Sequence, residues 1–318
     1  MVALDFGVDP TLEAADHALK EAAEPSMRGH LGISGIGGCP RKTAYSFQWV
    51  GSKPFEAKTL KLFADGHRTE PLFFERLRLV PGLTIVDFID DKQIRVDGYK
   101  GHFVGHLDFE VLGLLQAPKT WHVGEIKTTS EKNLTAFRRL KVKHGEKNAL
   151  KEWNITYYAQ AQCYMRYRKR TRHWLIVGSA GGRDWDACRT EYNEQDAEAF
   201  EARAIQIIDQ TKNLPDRISE DPEYFICKHM CEFAEICHGD VKPQRNCRTC
   251  VWSQPQDGGK WMCWRHDRLL SYDEQRVGCS DQRYRPSFVK GEVVQSDDET
   301  NHITYYMPDG REWIDDGT

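Results

Sequence analysis

A period-two alternation runs through residues 102–111, HFVGHLDFEV. Phe103, Leu107, Phe109 and Val111 fall on one face and His106 and Asp108 on the other, the pattern of a strand with one buried side. A second run, VGEIK at 123–127, places Glu125 and Lys127 two apart and so on one side of a neighbouring strand. Two such strands commit the chain to a sheet-containing core. They also gather Asp108, Glu125 and Lys127, and two acids with an ammonium can hold a metal ion beside a phosphate. The bare D…ExK pattern is common, because charged residues are 29% of the chain and an ExK on a strand is usually a solvated face.

The rest of the pattern surrounds these strands with helices. A Gly-rich entry, SGIGG, leads into CPRKTAYSFQW and then a second helix, ADGHRTEPLFFERLR, which carries Glu70. Strands are expected at 92–97, 102–111 and 121–127, followed by one long helical stretch through EWNITYYAQAQCYMRY, a buried strand at 173–180 and an edge strand at 183–192. EQDAEAFEARAIQIIDQTK is an amphipathic helix with Phe200, Ala204, Ile207 and Ile208 inward. Strands, a helix and a further strand predict an α/β fold, a central mixed β-sheet flanked by helices. On the helix after the ExK strand, Gln160 and Tyr164 are four apart and share a side, from which an amide can reach a phosphate or a water.

At 318 residues the chain can bury one main core with appendages. The expected divisions are a helical extension at 1–29, a core at 30–240, a zinc module at 241–290 and a β-hairpin tail at 291–318, turning at Pro308-Asp309-Gly310. In the extension, Asp9 and Pro10 read as cap and first turn, with Leu12, Ala15, Leu19 and Ala22 as the buried stripe. The acidic N-terminus lacks a basic region and an apolar core, so no signal peptide is expected, and no apolar run is long enough for a membrane span. A cytoplasmic protein is the expectation, in which ten cysteines serve as metal ligands or free thiols rather than disulfides.

The formal net charge of -4 conceals a local bias. Residues 131–172 hold twelve Lys or Arg against three Glu, interleaved with Phe137, Trp153, Tyr157, Tyr158, Tyr164 and Tyr167. Such a stretch is either the wet side of helices or a groove for a polyanion.

Cysteines concentrate toward the C-terminus. Cys247, Cys250, Cys263 and Cys279 start with a CxxC knuckle and supply four thiolates, which suits one tetrahedral Zn²⁺, with His266 as a spare ligand. Cys227, Cys231 and Cys237 form a triplet that lacks a fourth ligand. Adjacent His238 would complete a zinc site; Cys39, in a loop before the Glu70 helix, would complete four thiolates for a 4Fe-4S cluster.

In order, GGCPRK with Cys39, DGHRTE with Glu70, GHLD with Asp108, GEIK with Glu125 and Lys127, YYAQAQCYM with Gln160 and Tyr164, and the cysteine triplet resemble the PD-(D/E)XK nuclease superfamily. The resemblance spans roughly residues 30–240 and is closest to the branch of lambda exonuclease, the RecB and AddB nuclease domains and the CRISPR-adaptation nucleases. The Cys39, Cys227, Cys231 and Cys237 set is similar to the iron-sulfur members, and 245–285 looks like the cysteine-rich tail of phage nucleases. The resemblance implies that Asp108 and Glu125 bind Mg²⁺ or Mn²⁺ with the Ile126 carbonyl and, directly or through water, Glu70; that Lys127 positions the attacking hydroxide or stabilises the pentacovalent state; and that Gln160 orients water or the scissile phosphate, with Tyr164 lining the same wall. It implies a DNA exonuclease of recombination, repair or replication, with DNA and a single-strand annealing or recombination protein as partners. A structure-specific or single-strand endonuclease, and a non-catalytic DNA-binding protein organised by metals, are the alternatives.

Overall fold

The computed structural model of the chain describes residues 9–23, 27–52, 54–209 and 213–317. The first eight residues of the predicted extension, and the last three of the helix predicted over 194–212, lie outside them. The chain opens with α1 (Pro10–Glu21), β1 (Leu31–Gly32), α2 (Pro40–Phe47) and α3 (Ala57–Leu77), then β2 (Thr84–Val86), β3 (Phe88–Ile89), β4 (Lys92–Asp97), β5 (Phe103–Leu107), β6 (Phe109–Leu112) and β7 (His122–Thr129). Next come α4 (Glu131–His144), α5 (Glu146–Trp153), α6 (Ile155–Arg168), β8 (Arg172–Ser179), β9 (Trp185–Glu191) and α7 (Glu194–Ile208).

A five-stranded mixed sheet, ordered β2-β6-β7-β8-β9, carries helices on both faces. Only β7 and β8 in it are parallel, joined by the crossover through α4, α5 and α6, as a parallel pair requires. Alternation along the strands divides the core. Val123, Leu175 and Val177 pack with Leu134, Phe137 and Met165 on the side of α4 and α6, while Ile126, Trp174 and Ile176 pack with Phe73, Phe74 and Leu77 of α3. β9 is the edge strand expected from 183–192.

Three expectations change. The single strand predicted over 102–111 is two strands in two sheets: β5 pairs with β4 and β1, β6 with β2 and β7. Alternation continues unbroken through the switch at Asp108, so periodicity alone does not reveal it. The long helix predicted through 152–167 is interrupted at Asn154, whose side chain accepts from the Thr156 and Tyr157 N–H groups and starts α6 afresh. The α1 stripe is not a core: Asp9 does cap the helix, but no residue of it is buried and Leu12 is 66% exposed. Two ion pairs, Lys20 with Glu56 and Lys61 with Asp16, link α1 to the start of α3.

After α7 follow α8 (Phe225–Met230), α9 (Ala234–Cys237), the strands β10 (Ser253–Pro255), β11 (Trp261–Cys263) and β12 (Arg268–Leu270), then α10 (Tyr272–Val277). The cysteine-rich segment docks on the core through Trp261, whose ring lies 5.5 Å from Phe47 and 5.9 Å from His102. Arg248 is fully buried beside it, donating to the Phe47 and Gly29 carbonyls and to Gln275 Oε1, with its guanidinium 3.6 Å over Trp49. The predicted hairpin is present as β14 (His302–Tyr306) and β15 (Glu312–Asp315), with β13 (Glu292–Asp297) as a third strand.

Candidate active site

The strand switch builds the site. β6 ends against β7 at the pair Phe109 and Gly124, and extending that ladder would place Leu107 opposite Ile126. Leu107 pairs instead with Ile94 in the other sheet, which leaves the Ile126 N–H without a backbone acceptor on that side. Asp108, the residue at the switch, supplies it: Oδ2 accepts from Ile126 N at 2.8 Å. Its carboxylate is thereby fixed beside β7. The Ile126 carbonyl lies on the same edge, because a strand residue directs its N–H and C=O to one side.

Glu125 and Lys127 face α6, on the Val123 side of the sheet. Glu125 is 3% exposed; it pairs with Lys127 and its Oε1 accepts from Gln160 Nε2 at 2.8 Å. Gln160 also lies 3.4 Å from the Tyr164 hydroxyl, which donates to the His106 carbonyl at 2.8 Å. Glu70, half-buried on α3, completes the group through its electrostatic coupling to Asp108 and Lys127. Thr69 beside it accepts from the Gly181 N–H, tying this part of α3 to the turn after β8. All six side chains predicted for the site thus come from one strand, the junction between two others and two helices to one place.

Their charges are in conflict without a further cation. Burial first, and then the Asp108 carboxylate, push Glu125 up to about 8 against the pull of Lys127 and Gln160. The same two causes raise Glu70 to about 7. Asp108 is raised by burial despite Lys127 and the Ile126 N–H. Burial opposes charge on Lys127, but the Glu125 and Asp108 carboxylates outweigh it and hold the ammonium above its ordinary pKa. Glu125 Oε2 and Gln160 Oε1 are buried and have no hydrogen-bond partner. Crowded carboxylates and orphaned oxygens fit a hard divalent cation, which takes oxygen ligands and relieves the repulsion.

Sequence reasoning passed over two contributors. Tyr157 places its ring 5.1 Å beneath the Lys127 ammonium; the spacing 157, 160, 164 along one helix face was the available signal. The glycines of the two motifs are there for close packing. A Cβ on Gly105 would lie 2.6 Å from the Tyr164 ring, and one on Gly124 would lie 2.3 Å from Phe109. Gly105 therefore lets Tyr164 lie flat enough on β5 to reach the His106 carbonyl.

The basic stretch carries less free charge than its composition suggests. Arg138, Lys141, Lys147, Lys151, Arg166, Arg168, Arg170 and Arg172 all pair with acids brought in from β6, β9, α7 and the turn at Asp184. Phe137, Tyr158 and Tyr164 point into the core. A salt-bridged shell over the sheet describes most of this stretch better than a polyanion groove.

Cys39, Cys227, Cys231 and Cys237 line one small cavity with Arg41, Arg217 and His238. Cys39 stands at the N-cap position of α2 without a side-chain cap bond, and burial, then neighbouring thiols including Cys39, raise Cys227. In the C-terminal segment, burial and then Cys250, Cys279 and Cys263 raise Cys247 to about 12, so these four are also neighbours.

No protein-family model matches the chain, and no curated protein matches it. Among solved structures, the alkaline exonuclease LHK-Exo of Laribacter hongkongensis aligns with a TM-score of 0.41 and 13% identity over 62% of this chain and 91% of that one. The protein SSO0001 gives 0.38 and 13% over 74% and 99%. A phage-related exonuclease from Haemophilus somnus 129PT gives 0.33 and 11% over 56% and 91%. Likeness at this level decides neither fold nor activity; what bears on both is the geometry of the chain's own residues.

Proposed function

We propose that the chain is a metal-dependent DNA nuclease that hydrolyses phosphodiester bonds, acting as an exonuclease. One observation carries the reading: burial and the Asp108 carboxylate raise both Glu70 and Glu125 at a place where two buried oxygens lack partners and an ammonium stands ready. A bound Mg²⁺ or Mn²⁺ supplies Lewis-acid stabilisation of the phosphate there. Asp108, Glu125, Glu70 and the Ile126 carbonyl are its proposed ligands. Lys127, kept protonated by its carboxylate neighbours, is a poor base at neutral pH and serves to meet charge developing on the phosphate oxygens. Gln160, anchored through Glu125, keeps a buried, unpartnered carbonyl oxygen beside the proposed metal ligands, and Tyr164 holds the β5 edge in place. A non-catalytic DNA binder has no use for these acids, which would repel phosphate.

The same proposal includes two further metals. Cys39, Cys227, Cys231 and Cys237 hold a 4Fe-4S cluster, with Arg41 and Arg217 on the same wall to offset its negative charge. A zinc ion sits in the C-terminal segment, its candidate ligands drawn from Cys247, Cys250, Cys263, Cys279 and the spare His266. Incubation with linear and covalently closed circular DNA, with Mg²⁺ or Mn²⁺ and with chelator, tests the activity. Soluble nucleotides from the linear form alone are expected; cutting of the circle turns the reading to an endonuclease, and no divalent-dependent cleavage of either rejects it.

A further inference from the structure

His266 Nε2 lies 3.7 Å from Cys279 Sγ and 3.3 Å from Asp281 Oδ2. Among the described residues, these three donors form the group tight enough to share one ion, all within 4.8 Å of one another. Hydrogen bonding does not account for the arrangement. The same ring nitrogen faces both groups, so a proton on it serves one of them, and a lone pair on it accepts from the thiol while leaving the carboxylate opposite a second acceptor. A metal satisfies all three at once. Tetrahedral zinc with its usual bond lengths to sulfur, nitrogen and oxygen sets neighbouring donors roughly 3.3–3.6 Å apart, close to the two separations from His266 Nε2.

We infer that the zinc of the C-terminal segment is held by His266, Cys279 and Asp281, with a thiolate from the opposite wall, in place of a site made of four cysteines. The wall is identifiable. Cys247 and Cys263 line a cavity of about 330 Å³ together with His266 and Cys279, which sets a thiolate opposite the imidazole. Cys263 ends β11 and His266 lies in the turn to β12, so one tight hairpin delivers both a thiolate and the imidazole. Cys279 follows α10 directly after Gly278, whose φ of +73° turns the chain back toward the hairpin. The site is therefore mixed in donor type and open to solvent on the Cys279 side, in contrast to a closed thiolate site.

Zinc content of the full chain after dialysis against a mild chelator tests this without reference to cleavage. One zinc per chain is expected in the wild type, with at least tenfold loss of occupancy in His266→Ala and Cys279→Ser, partial loss in Asp281→Asn, and retention in Cys250→Ser. Loss in Cys250→Ser with retention in His266→Ala overturns the assignment in favour of four thiolates, and absence of zinc from the wild type overturns it outright. Where every variant loses zinc through misfolding, X-ray absorption at the zinc edge of the wild type decides: a mixed sulfur and nitrogen/oxygen shell supports the site, and a shell of four sulfurs overturns it.

Discussion

Glu125→Gln is expected to remove activity and to stabilise the metal-free protein at the same time. The carboxyl, ordinarily near 4.5, is pushed up to about 8 in the fold. Between those values the folded state holds a proton that the unfolded chain releases, so stability falls as pH rises through that window. With 1.36 kcal/mol per unit, the penalty is about 1 kcal/mol near pH 5.5 and on the order of 4 kcal/mol near pH 8. Glutamine carries none of it. Lys127 loses a partner in the variant, which offsets part of the gain, so an advantage of about 2 kcal/mol at the higher pH relative to the lower is the expected residue. For a chain of 318 residues that is roughly 3 °C. Thermal unfolding of both proteins in chelator near pH 5.5 and pH 8 measures it, and millimolar Mn²⁺ should restore the wild type at the higher pH while leaving the variant unmoved. A variant that loses ground to the wild type as pH rises in chelator would refute the argument that these acids are crowded.

Lys127→Met should lower kcat by about 10²–10³ with a smaller change in KM, if the ammonium acts on transition-state charge; equal losses in both, measured by steady-state cleavage, would point to substrate binding instead. Gly105→Ala drives a methyl into the Tyr164 ring and should cost about 1–3 kcal/mol in denaturant unfolding, with a fall in activity; an unchanged midpoint would mean the ring moves freely. Arg248→Ala leaves buried carbonyls of Phe47 and Gly29 unpaired and should destabilise the chain by about 3–5 kcal/mol, read by the same unfolding assay. Cys39→Ser should abolish the brown colour and bound iron of anaerobically purified protein, whereas retention of both would remove Cys39 from the cluster.

Much of this arrangement is legible in the sequence, because it depends on short-range periodicity. The parity of Glu125 and Lys127, the shared side of Gln160 and Tyr164 and the inner face of α7 all follow from strand and helix repeats. What was not legible depends on partners distant in the chain. The break at Asp108 is invisible to alternation, since Leu107 and Phe109 keep the pattern while entering different sheets. The ion pairs that neutralise Arg138 through Arg172 come mainly from residues 184–201, beyond any local charge count. The α1 stripe looks amphipathic, but α3 alone does not bury it: Leu12 stays 66% exposed.

The most direct measurement is a time course on 5′- and 3′-end-labelled linear DNA with Mg²⁺ or Mn²⁺, run beside Asp108→Ala protein. The account predicts metal-dependent loss of label by the wild type and none by the variant, which still shifts the DNA on a gel. Cleavage by Asp108→Ala at the wild-type rate, or an inert wild type with both ions, would contradict it.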